Sequence, residues 1–475
     1  MKIIHVPYTY FPDAAGGTEI YVEGLAKRLQ QSGIESVVCA PGLKSECYLH
    51  AGLKIRRFVG RTVERSLEYL YGEGDQGAAQ GFSSVLDEER PDLVHIHAFS
   101  PAVSLRLAIQ VKARGIPLVF TYHTPAATCQ RSTLLRWGQT KCNGTLEAGK
   151  CASCVLHGRG VPKALATVVG HLPPTVGRFL KSHDLAGGMW TALRMSELVA
   201  RKHAIVRAFL ATPDAVVAPS EWVRNLLLAN SVPQDKIFLC PQGVAHVTAS
   251  CLPPTQSLTS RRALRVIALS RLDVTKGLDV LVKALALYCD FDVTLDIYAR
   301  AESAGANPYG EALRHMVARD PRVRLLPAIP NEQVLATIAR YDVLAAPSQG
   351  LETGPLVVLE AFSAGTPVIG SNLGGIAERV THEMDGLLVL HSDSRAWARA
   401  LNRLATENGL LDRLRRGVSP PPDIERVSVF MKDLYSRSSS APLNTKASQM
   451  RPSPKRSVKA GRHPAATAGE ELVPT

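Results

Sequence analysis

The sequence predicts an α/β protein with two Rossmann-like domains that face each other across a cleft. Runs of Val, Ile and Leu alternate with amphipathic helical segments, which is typical of parallel sheets covered by helices on both faces. The alternation stops at residues 247–262, a segment rich in Pro, Ser and Thr, and starts again after it. With 475 residues, the chain is long enough for two separate cores.

The predicted elements follow the apolar runs in order along the chain. In the first half, strands are expected at residues 2–6, 36–40, 53–59, 92–98, 117–121, 215–219 and 236–240, and helices at 19–31, 102–114 and 221–228. In the second half, strands are expected at residues 265–270, 293–299, 323–327, 343–346, 367–370 and 386–390, and helices at 278–288 and 331–341.

Domain boundaries follow from these changes in pattern. We expect a first domain over residues 1–246, a linker over 247–262 and a second domain over 263–421. Two segments fall outside the alternation: an insertion at about residues 125–200 with clustered cysteines, and a tail at 438–475. The tail is rich in Ser, Pro, Ala and basic residues, so it is predicted to be disordered.

The chain is basic, with 55 basic and 42 acidic residues and a formal charge of +13. No nucleic-acid motif accompanies this charge, so anionic substrates or an anionic membrane surface are the favoured partners. No apolar run approaches the length of a membrane span, and residues 1–6 enter a strand without a signal-peptide pattern. The sequence therefore predicts a cytoplasmic protein, with peripheral contact to the inner face of the membrane as one option.

Two carboxylates eight residues apart flank the start of a predicted helix near residue 350. Pro355 suits the first helical position, so Glu352 is expected in the preceding loop and Glu360 about two turns inside the helix. The helix N-terminus beside Gly354 is a natural anion site. Carboxylates on either side of a bound phosphate would suit a nucleotide sugar, whose diphosphate lies between a sugar and a ribose.

Two further loops at strand ends offer phosphate-binding groups. Gly16 and Gly17 open the first helix and would let backbone N–H groups approach a phosphate; an ordinary loop capped by Thr18 is the alternative. Arg271 and Lys276 emerge at the carboxyl end of a strand, where ligands bind in open α/β sheets. These two cations could neutralise a diphosphate leaving group, with solvated loop charge as the alternative.

Three histidines lie on neighbouring predicted strands. His97 and His123 each end a strand and should face the cleft, although a structural hydrogen-bonding role is the alternative. His95 shares a face with His97 but lies deeper, so it is expected in the core.

The nine cysteines, an odd count without a secretion signal, argue against a disulfide framework. Four of them, Cys129, Cys142, Cys151 and Cys154, fall within 26 residues, and their C-x-x-C ending is common in tetrahedral zinc sites. Burial as small apolar side chains is the alternative. We expect a structural zinc ion, because four thiol ligands would leave no position open for catalysis.

In their order, these features resemble the GT-B glycosyltransferases of family 4, which are retaining and depend on nucleotide sugars. The resemblance covers about residues 1–436. The motifs that carry it are Gly16-Gly17-Thr18-Glu19, His123, Ser220-Glu221-Trp222-Val223-Arg224, Arg271 with Lys276-Gly277, Glu352-x7-Glu360 and Ala364-Gly365-Thr366-Pro367-Val368.

The resemblance also implies roles for the site residues. His123 would lie near the reacting sugar, and Glu352 would bind donor-sugar hydroxyls or back the anomeric centre. The final helix of the family crosses back onto the first domain, which here falls on residues 422–437. The donor would be held at its phosphates or over the sugar by Gly16 and Gly17, at its diphosphate by Arg271, Lys276 and the helix start near Gly354, and at its ribose by Glu360.

The implied reaction moves a hexosyl group from a UDP- or GDP-sugar to a hydroxyl of a glycan, lipid-linked or small-molecule acceptor. No cofactor is expected for catalysis, because no Asp-x-Asp motif appears where a divalent cation would bind the diphosphate. The segment after Glu352 reads Thr-Gly-Pro, which departs from the more usual aromatic-and-Gly form. The alternatives are a sugar-nucleotide epimerase on the same scaffold and an inactive relative that acts by binding.

Overall fold

The computed structural model describes residues 1–13, 16–60, 66–185, 187–245, 263–287, 292–300 and 307–439. It contains two large sheets with helices packed on their faces, so the predicted α/β class with two Rossmann-like domains is confirmed. The predicted linker, residues 247–262, lies outside the described residues. The predicted tail does too, except for residues 438–439, which end the last helix.

The first sheet belongs to the first half of the chain and has eight strands. They are β1 (Lys2–Val6), β2 (Glu35–Gly42), β3 (Glu46–His50), β4 (Leu53–Val59), β5 (Leu93–Ile96), β6 (Leu118–Thr121), β9 (Ala215–Ala218) and β10 (Ile237–Leu239), while β7 (Leu135–Arg136) and β8 (Thr140–Lys141) form a separate hairpin. The strand order is β10-β9-β6-β5-β1-β2-β4-β3.

One strand of this sheet departs from the prediction. β3 pairs antiparallel with β4 at the edge, whereas the other strand pairs in the sheet are parallel. Its residues are mostly exposed, so it has no continuous apolar run to reveal it in the sequence.

The second sheet is wholly parallel. Its strands are β11 (Leu264–Arg271), β12 (Val293–Arg300), β13 (Val323–Pro327), β14 (Val343–Ala346), β15 (Val368–Ser371) and β16 (Gly386–Val389), in the order β13-β12-β11-β14-β15-β16. In each sheet the first strand, β1 or β11, is central. The next strands add on one side of it, and the later strands then add on its other side. Ligands of open α/β sheets bind beside such a switch point, at the carboxyl ends of the strands.

Eighteen α-helices are present in the described residues, and several lie in the predicted insertion. The helix predicted at residues 331–341 is shorter than expected, because a 3₁₀ turn precedes a helix of five residues. The helices are α1 (Gly17–Gln31), α2 (Leu67–Tyr71), α3 (Gln76–Glu89), α4 (Leu105–Ala113), α5 (Ala148–Gly158), α6 (Lys163–Gly170), α7 (Pro174–Ser182), α8 (Gly188–Leu193), α9 (Met195–Ala211), α10 (Glu221–Ala229), α11 (Leu278–Ala286), α12 (Pro308–Val317), α13 (Val334–Ile338), α14 (Leu356–Ser363), α15 (Gly374–Arg379), α16 (Ser394–Thr406), α17 (Leu410–Gly417) and α18 (Ile424–Ser439).

The last helix connects the end of the described chain to the first sheet. α18 packs against α1, and its buried Tyr435 shares a hydrogen bond of 2.6 Å with His95 on β5. Burial of apolar side chains such as Met431 in this contact stabilises it by roughly 1.5–3 kcal/mol each. Within the described part of the chain, we find no helix with the length and apolar character that crossing a membrane requires.

Candidate functional site

Loops from the two sheets touch each other at the carboxyl ends of their strands. The Thr353 hydroxyl, in the loop after β14, donates to the backbone carbonyl of His123, which follows β6, at 2.7 Å. The Trp222 indole N–H donates to the carbonyl of Glu352 at 3.1 Å. His123 and Glu352, predicted site residues from the two halves of the chain, therefore lie in loops that contact each other across a cleft.

Gly16 and Gly17 lie at the start of α1, as predicted. The Gly16 N–H donates to the Glu19 carboxylate at 2.7 Å, which occupies one of the donors at this helix end. A Cβ on Gly17 would lie 3.5 Å from Leu356, the first residue of α14. The N-termini of two helices from opposite sheets thus approach each other across the cleft, and both favour negative charge.

Glu352 pairs with a cation and a hydroxyl group within the cleft. Its Oε1 accepts from the Lys276 ammonium at 2.6 Å and from the Ser348 hydroxyl at 2.8 Å. Burial disfavours its charged form, but Lys276, the Ser348 bond and Arg271 together hold the pKa of Glu352 below its ordinary value. The side chain is therefore an ionised acceptor at neutral pH.

Arg271 ends β11 and lies between the two halves of the cleft. Its charge lowers the pKa of Glu352 in its own half, and it opposes the rise that burial causes in the pKa of Glu19 on α1. Lys276 precedes Gly277, a position that only glycine can occupy. The φ of Gly277 is +64°, and a Cβ there would lie 2.1 Å from the Pro347 carbonyl oxygen. Both predicted cations thus lie at the switch point of the second sheet.

The start of α14 differs in detail from the prediction. Pro355 precedes the first helical residue, Leu356, and does not occupy that position itself. Glu360 consequently lies just over one turn inside the helix, where two turns were predicted. Gly354 packs closely against Gln242, as a Cβ on residue 354 would lie 2.5 Å from the side-chain amide oxygen of Gln242.

Glu360 lines a cavity of about 430 Å³, including its open mouth, between α1, α13, α14 and the start of α18. Within the described residues, its carboxylate has no hydrogen-bond or ion-pair partner. Burial raises the pKa of Glu360 to about 7. This carboxyl group is therefore available to a ligand and changes its charge near neutral pH.

His123 belongs to a chain of buried imidazoles. The Gln242 amide nitrogen donates to its Nδ1 at 2.9 Å, so its Nε2–H donates to His97 at 3.2 Å. His97 in turn donates to His5 at 3.2 Å. Burial lowers the pKa of His123 to about 3, and the pKa values of His97 and His5 are lowered as well, so these rings are neutral.

His95 lies in the core, as its parity suggested, and is not part of the cleft. Its two ring nitrogens bond Tyr435 at 2.6 Å and Thr121 at 2.7 Å. Nitrogens of His5, His95 and His97 lie within 4.8 Å of one another, but the two nitrogens of His95 are already engaged. His95 packs against His97 with ring centroids 3.8 Å apart, and the hydrogen bonds of His97 to His5 and His123 fix its ring orientation.

Several residues that hold the cleft together were not among the predicted site residues. Glu378 on α15 accepts from the backbone N–H groups of Glu221 and Trp222 at 3.0 and 2.6 Å, so a carboxylate of the second sheet's half caps α10 of the first. Arg379 donates to the Pro219 carbonyl at 3.1 Å. Neither residue follows an apolar pattern, so only the contact itself reveals them.

The four clustered cysteines are free thiols that line one cavity in the insertion. Among the described residues, no three of their sulfurs lie within 4.8 Å of one another. Burial raises the pKa of Cys151 to about 11. The insertion also has a hydrophobic core of its own, with Leu156 and Leu198 in it, which the sequence did not suggest.

Comparisons with known proteins connect this chain to one enzyme family. A family model described as Glycosyltransferase Family 4 matches residues 15–148, and one described as Glycosyl transferases group 1 matches residues 263–407. Proteins named D-inositol 3-phosphate glycosyltransferase are similar to the chain. That of Salinispora tropica is 32% identical over 420 residues, which is 85% of this chain and 76% of the relative. That of Xylanimonas cellulosilytica is 32% identical over 225 residues, 44% of this chain and about half (52%) of the relative.

Solved structures share the fold over most of the chain. Sucrose-phosphate synthase from Thermosynechococcus elongatus has a TM-score of 0.62 at 18% identity, covering 92% of this chain and 98% of its own. Anabaena Alr3699/HepE, solved in complex with UDP and glucose, has a TM-score of 0.58 at 17% identity, covering 92% and 99%. At such identities the likeness concerns the fold alone.

Proposed function

The chain belongs to glycosyltransferase family 4 and has the GT-B fold, and we propose that it transfers a hexosyl group from a nucleotide diphosphate sugar to an acceptor hydroxyl with retention of anomeric configuration. The observation that carries this proposal is the meeting of two helix N-termini with Arg271, Lys276 and Glu352 at the facing switch points. Membership of a glycosyltransferase family does not favour the epimerase alternative.

The donor would lie across the cleft with its diphosphate at the paired helix starts. Arg271 and Lys276 would bind phosphate oxygens, and the N–H groups at Gly17 and near Gly354 would face the same charge, while the Gly16 N–H is held by Glu19. Glu360, whose carboxylate lacks a described partner, would accept hydrogen bonds from the ribose hydroxyls. Glu352 would lie on the sugar side, held in place by Ser348.

The reaction requires stabilisation of the leaving diphosphate. The bond between the anomeric carbon and the phosphate oxygen breaks while the acceptor oxygen attacks from the same face. The acceptor proton passes to a phosphate oxygen of the leaving group. The two cations and the helix N-termini would face the position where this charge develops, and such charge stabilisation is usually the largest single contribution to catalysis. His123 would line the sugar site, with its ring fixed by Gln242 and His97.

Transfer can be tested with UDP-, GDP- and ADP-sugars and a panel of hydroxyl acceptors. Because the relatives named above carry D-inositol 3-phosphate in their names, this phosphorylated polyol is the first acceptor to assay. We expect one nucleotide sugar to stabilise the protein by about 2.7 kcal/mol at a hundred times its Kd. We also expect acceptor-dependent release of the nucleoside diphosphate, with a product whose anomeric configuration matches the donor. Conversion of the donor without acceptor would point to an epimerase, and no stabilisation by any nucleotide would point to an inactive relative.

Donor affinity should depend on pH through Glu360. Its pKa of about 7 is expected to fall when the carboxylate accepts hydroxyl bonds, so binding releases a proton and strengthens as pH rises. From pH 6 to pH 8 the affinity for the intact nucleotide sugar should increase about tenfold. The sugar nucleotide is the suitable probe because its diphosphate diester does not titrate in this range. In Glu360→Gln this pH dependence should disappear; a variant with the unchanged slope would assign the titration to another group.

The insertion carries a surface suited to an anionic membrane, and we propose peripheral contact there. Large apolar side chains of α6, α7 and α8 are exposed, among them Val168 at 68% and Phe179 at 61%, and Arg178 and Lys181 lie on the same α7 helix. Apolar side chains beside basic ones are the usual composition of interfacial helices.

Vesicle flotation tests this contact directly. The protein should float with vesicles that contain anionic lipid and not with neutral ones. Phe179→Glu should weaken flotation about tenfold, because it places a carboxylate where an apolar ring would enter the interface. Val429→Glu, at an equally exposed apolar position on α18, is the matched control and should float normally. Equal flotation of both variants would exclude this surface.

A further inference from the structure

Four thiols converge on one cavity in the insertion, close to the cleft but outside it. Cys129 follows the turn after β6, Cys142 follows the β7–β8 hairpin, and Cys151 and Cys154 lie three residues apart on α5. A separation of three residues places two side chains on the same face of a helix. The cavity that they line is open to solvent and has apolar walls at Leu134, Leu135 and Val155.

Four thiols suit two kinds of metal centre, which differ in the spacing of the sulfurs. Around one tetrahedral zinc ion with Zn–S bonds of about 2.3 Å, the sulfurs lie roughly 3.8 Å apart. In the described residues, no three of these sulfurs come within 4.8 Å of one another. A cubane cluster has an iron atom at each of four corners, so its four cysteine sulfurs stand farther apart than those around one ion.

We propose that Cys129, Cys142, Cys151 and Cys154 bind a 4Fe–4S cluster. Cysteine is the ordinary ligand of such clusters, and four thiols satisfy one cluster completely. The inorganic core would lie in the cavity that the four thiols line, beside the apolar side chains of Leu134, Leu135 and Val155.

The polar groups around the cavity suit a cluster of negative net charge. Arg131, Arg136 and Lys150 line it. The Arg131 guanidinium lies 3.7 Å from the Cys154 sulfur, and the Trp137 backbone N–H donates to the same sulfur at 3.3 Å. Hydrogen bonds to ligating sulfurs stabilise the thiolate and tune the cluster.

The cluster would hold the segment between its first two ligands against the second half of the molecule. In that segment the Thr133 carbonyl accepts the Leu351 N–H at 3.0 Å, directly beside Glu352. Gly350 lies against the same residue, since a Cβ on Gly350 would lie 3.3 Å from the Thr133 backbone. The cluster would therefore have a structural role. Any effect of losing the cluster on glycosyl transfer rests on the proposed function, but the presence of the cluster does not.

Metal and sulfide analysis of the full chain purified under anaerobic conditions tests the proposal. We expect about four iron atoms and four acid-labile sulfides per chain, with broad visible absorption that dithionite bleaches. One zinc ion per chain, iron without sulfide, or no metal would each overturn the proposal. These outcomes are independent of glycosyl transfer, which is assayed separately.

Single serine variants then assign the ligands. Cys151→Ser and Cys154→Ser should lose most of the iron and the visible absorption. Cys47→Ser is the matched control, because Cys47 is exposed on β3 and outside the cavity, and it should keep both. If a ligand variant proves insoluble, the stoichiometry of the unmodified protein still decides. Full iron content in both ligand variants would overturn the assignment.

Discussion

Replacement of Lys276 by methionine is expected to lower kcat/KM for glycosyl transfer by about 10²–10³-fold, the usual cost of removing one preorganised group that stabilises developing charge. Methionine keeps the apolar stem and removes the ammonium. The side chain contacts Glu352 at 2.6 Å and lies at the strand end where the leaving diphosphate would be bound. Most of the loss should fall on kcat, because charge on the leaving group increases in the transition state.

A neighbouring lysine provides the matched control. Lys283 lies on the helix that follows Lys276, is 55% exposed, and pairs with Asp279 one turn away at 2.8 Å. Lys283→Met should retain full activity, because exposed pairs of this kind contribute little. Thermal unfolding of both variants separates a catalytic loss from a folding defect. Activity of Lys276→Met within twofold of the unmodified protein would remove this residue from the proposed mechanism.

The residues at strand ends could be predicted because the topology of each sheet brings the ends of its own strands together. Arg271, His123 and the Glu352 loop each follow a buried parallel strand, and the carboxyl ends of parallel strands meet at one edge whatever the intervening chain does. These positions depend on local pattern and connectivity, which the sequence contains.

The contacts that close the cleft could not be predicted in this way. Glu378 is separated by 157 positions from the helix start that it caps, and Gln242 by 119 positions from His123. No periodicity links such partners. The charge state of Glu360 likewise depends on burial between four elements. The sequence located the cysteine cluster through its spacing, but the distances between the sulfurs depend on the fold.

Glu89 lies at the end of α3, and its ion pairs join this helix to two strands of the first sheet. Glu89→Gln should destabilise the first domain by about 3 kcal/mol at neutral pH, because it leaves three cations facing a neutral amide. The carboxylate is 3% exposed and accepts from Lys2 at 2.6 Å, Lys54 at 2.7 Å and Arg56 at 2.8 Å. The shift in urea midpoint measures the loss. Glu88→Gln, at an adjacent exposed position paired with the same arginine, is the control and should change stability by less than about 0.5 kcal/mol.

The pH dependence gives this prediction its sharpest test. Burial alone would raise the pKa of Glu89, but its bonds to the three cations lower it to about 2, against an ordinary value of 4.5. The folded state therefore binds fewer protons than the unfolded state between these values, so the stabilising contribution is complete above pH 4.5 and declines as pH falls toward 2. Other carboxylates titrate equally in both proteins. The difference in midpoint between the unmodified protein and Glu89→Gln should thus be constant from pH 8 to pH 5 and shrink by about half near pH 3. A difference that stays constant down to pH 3 would mean that packing of the side chain, and not its charge, holds α3 to the sheet.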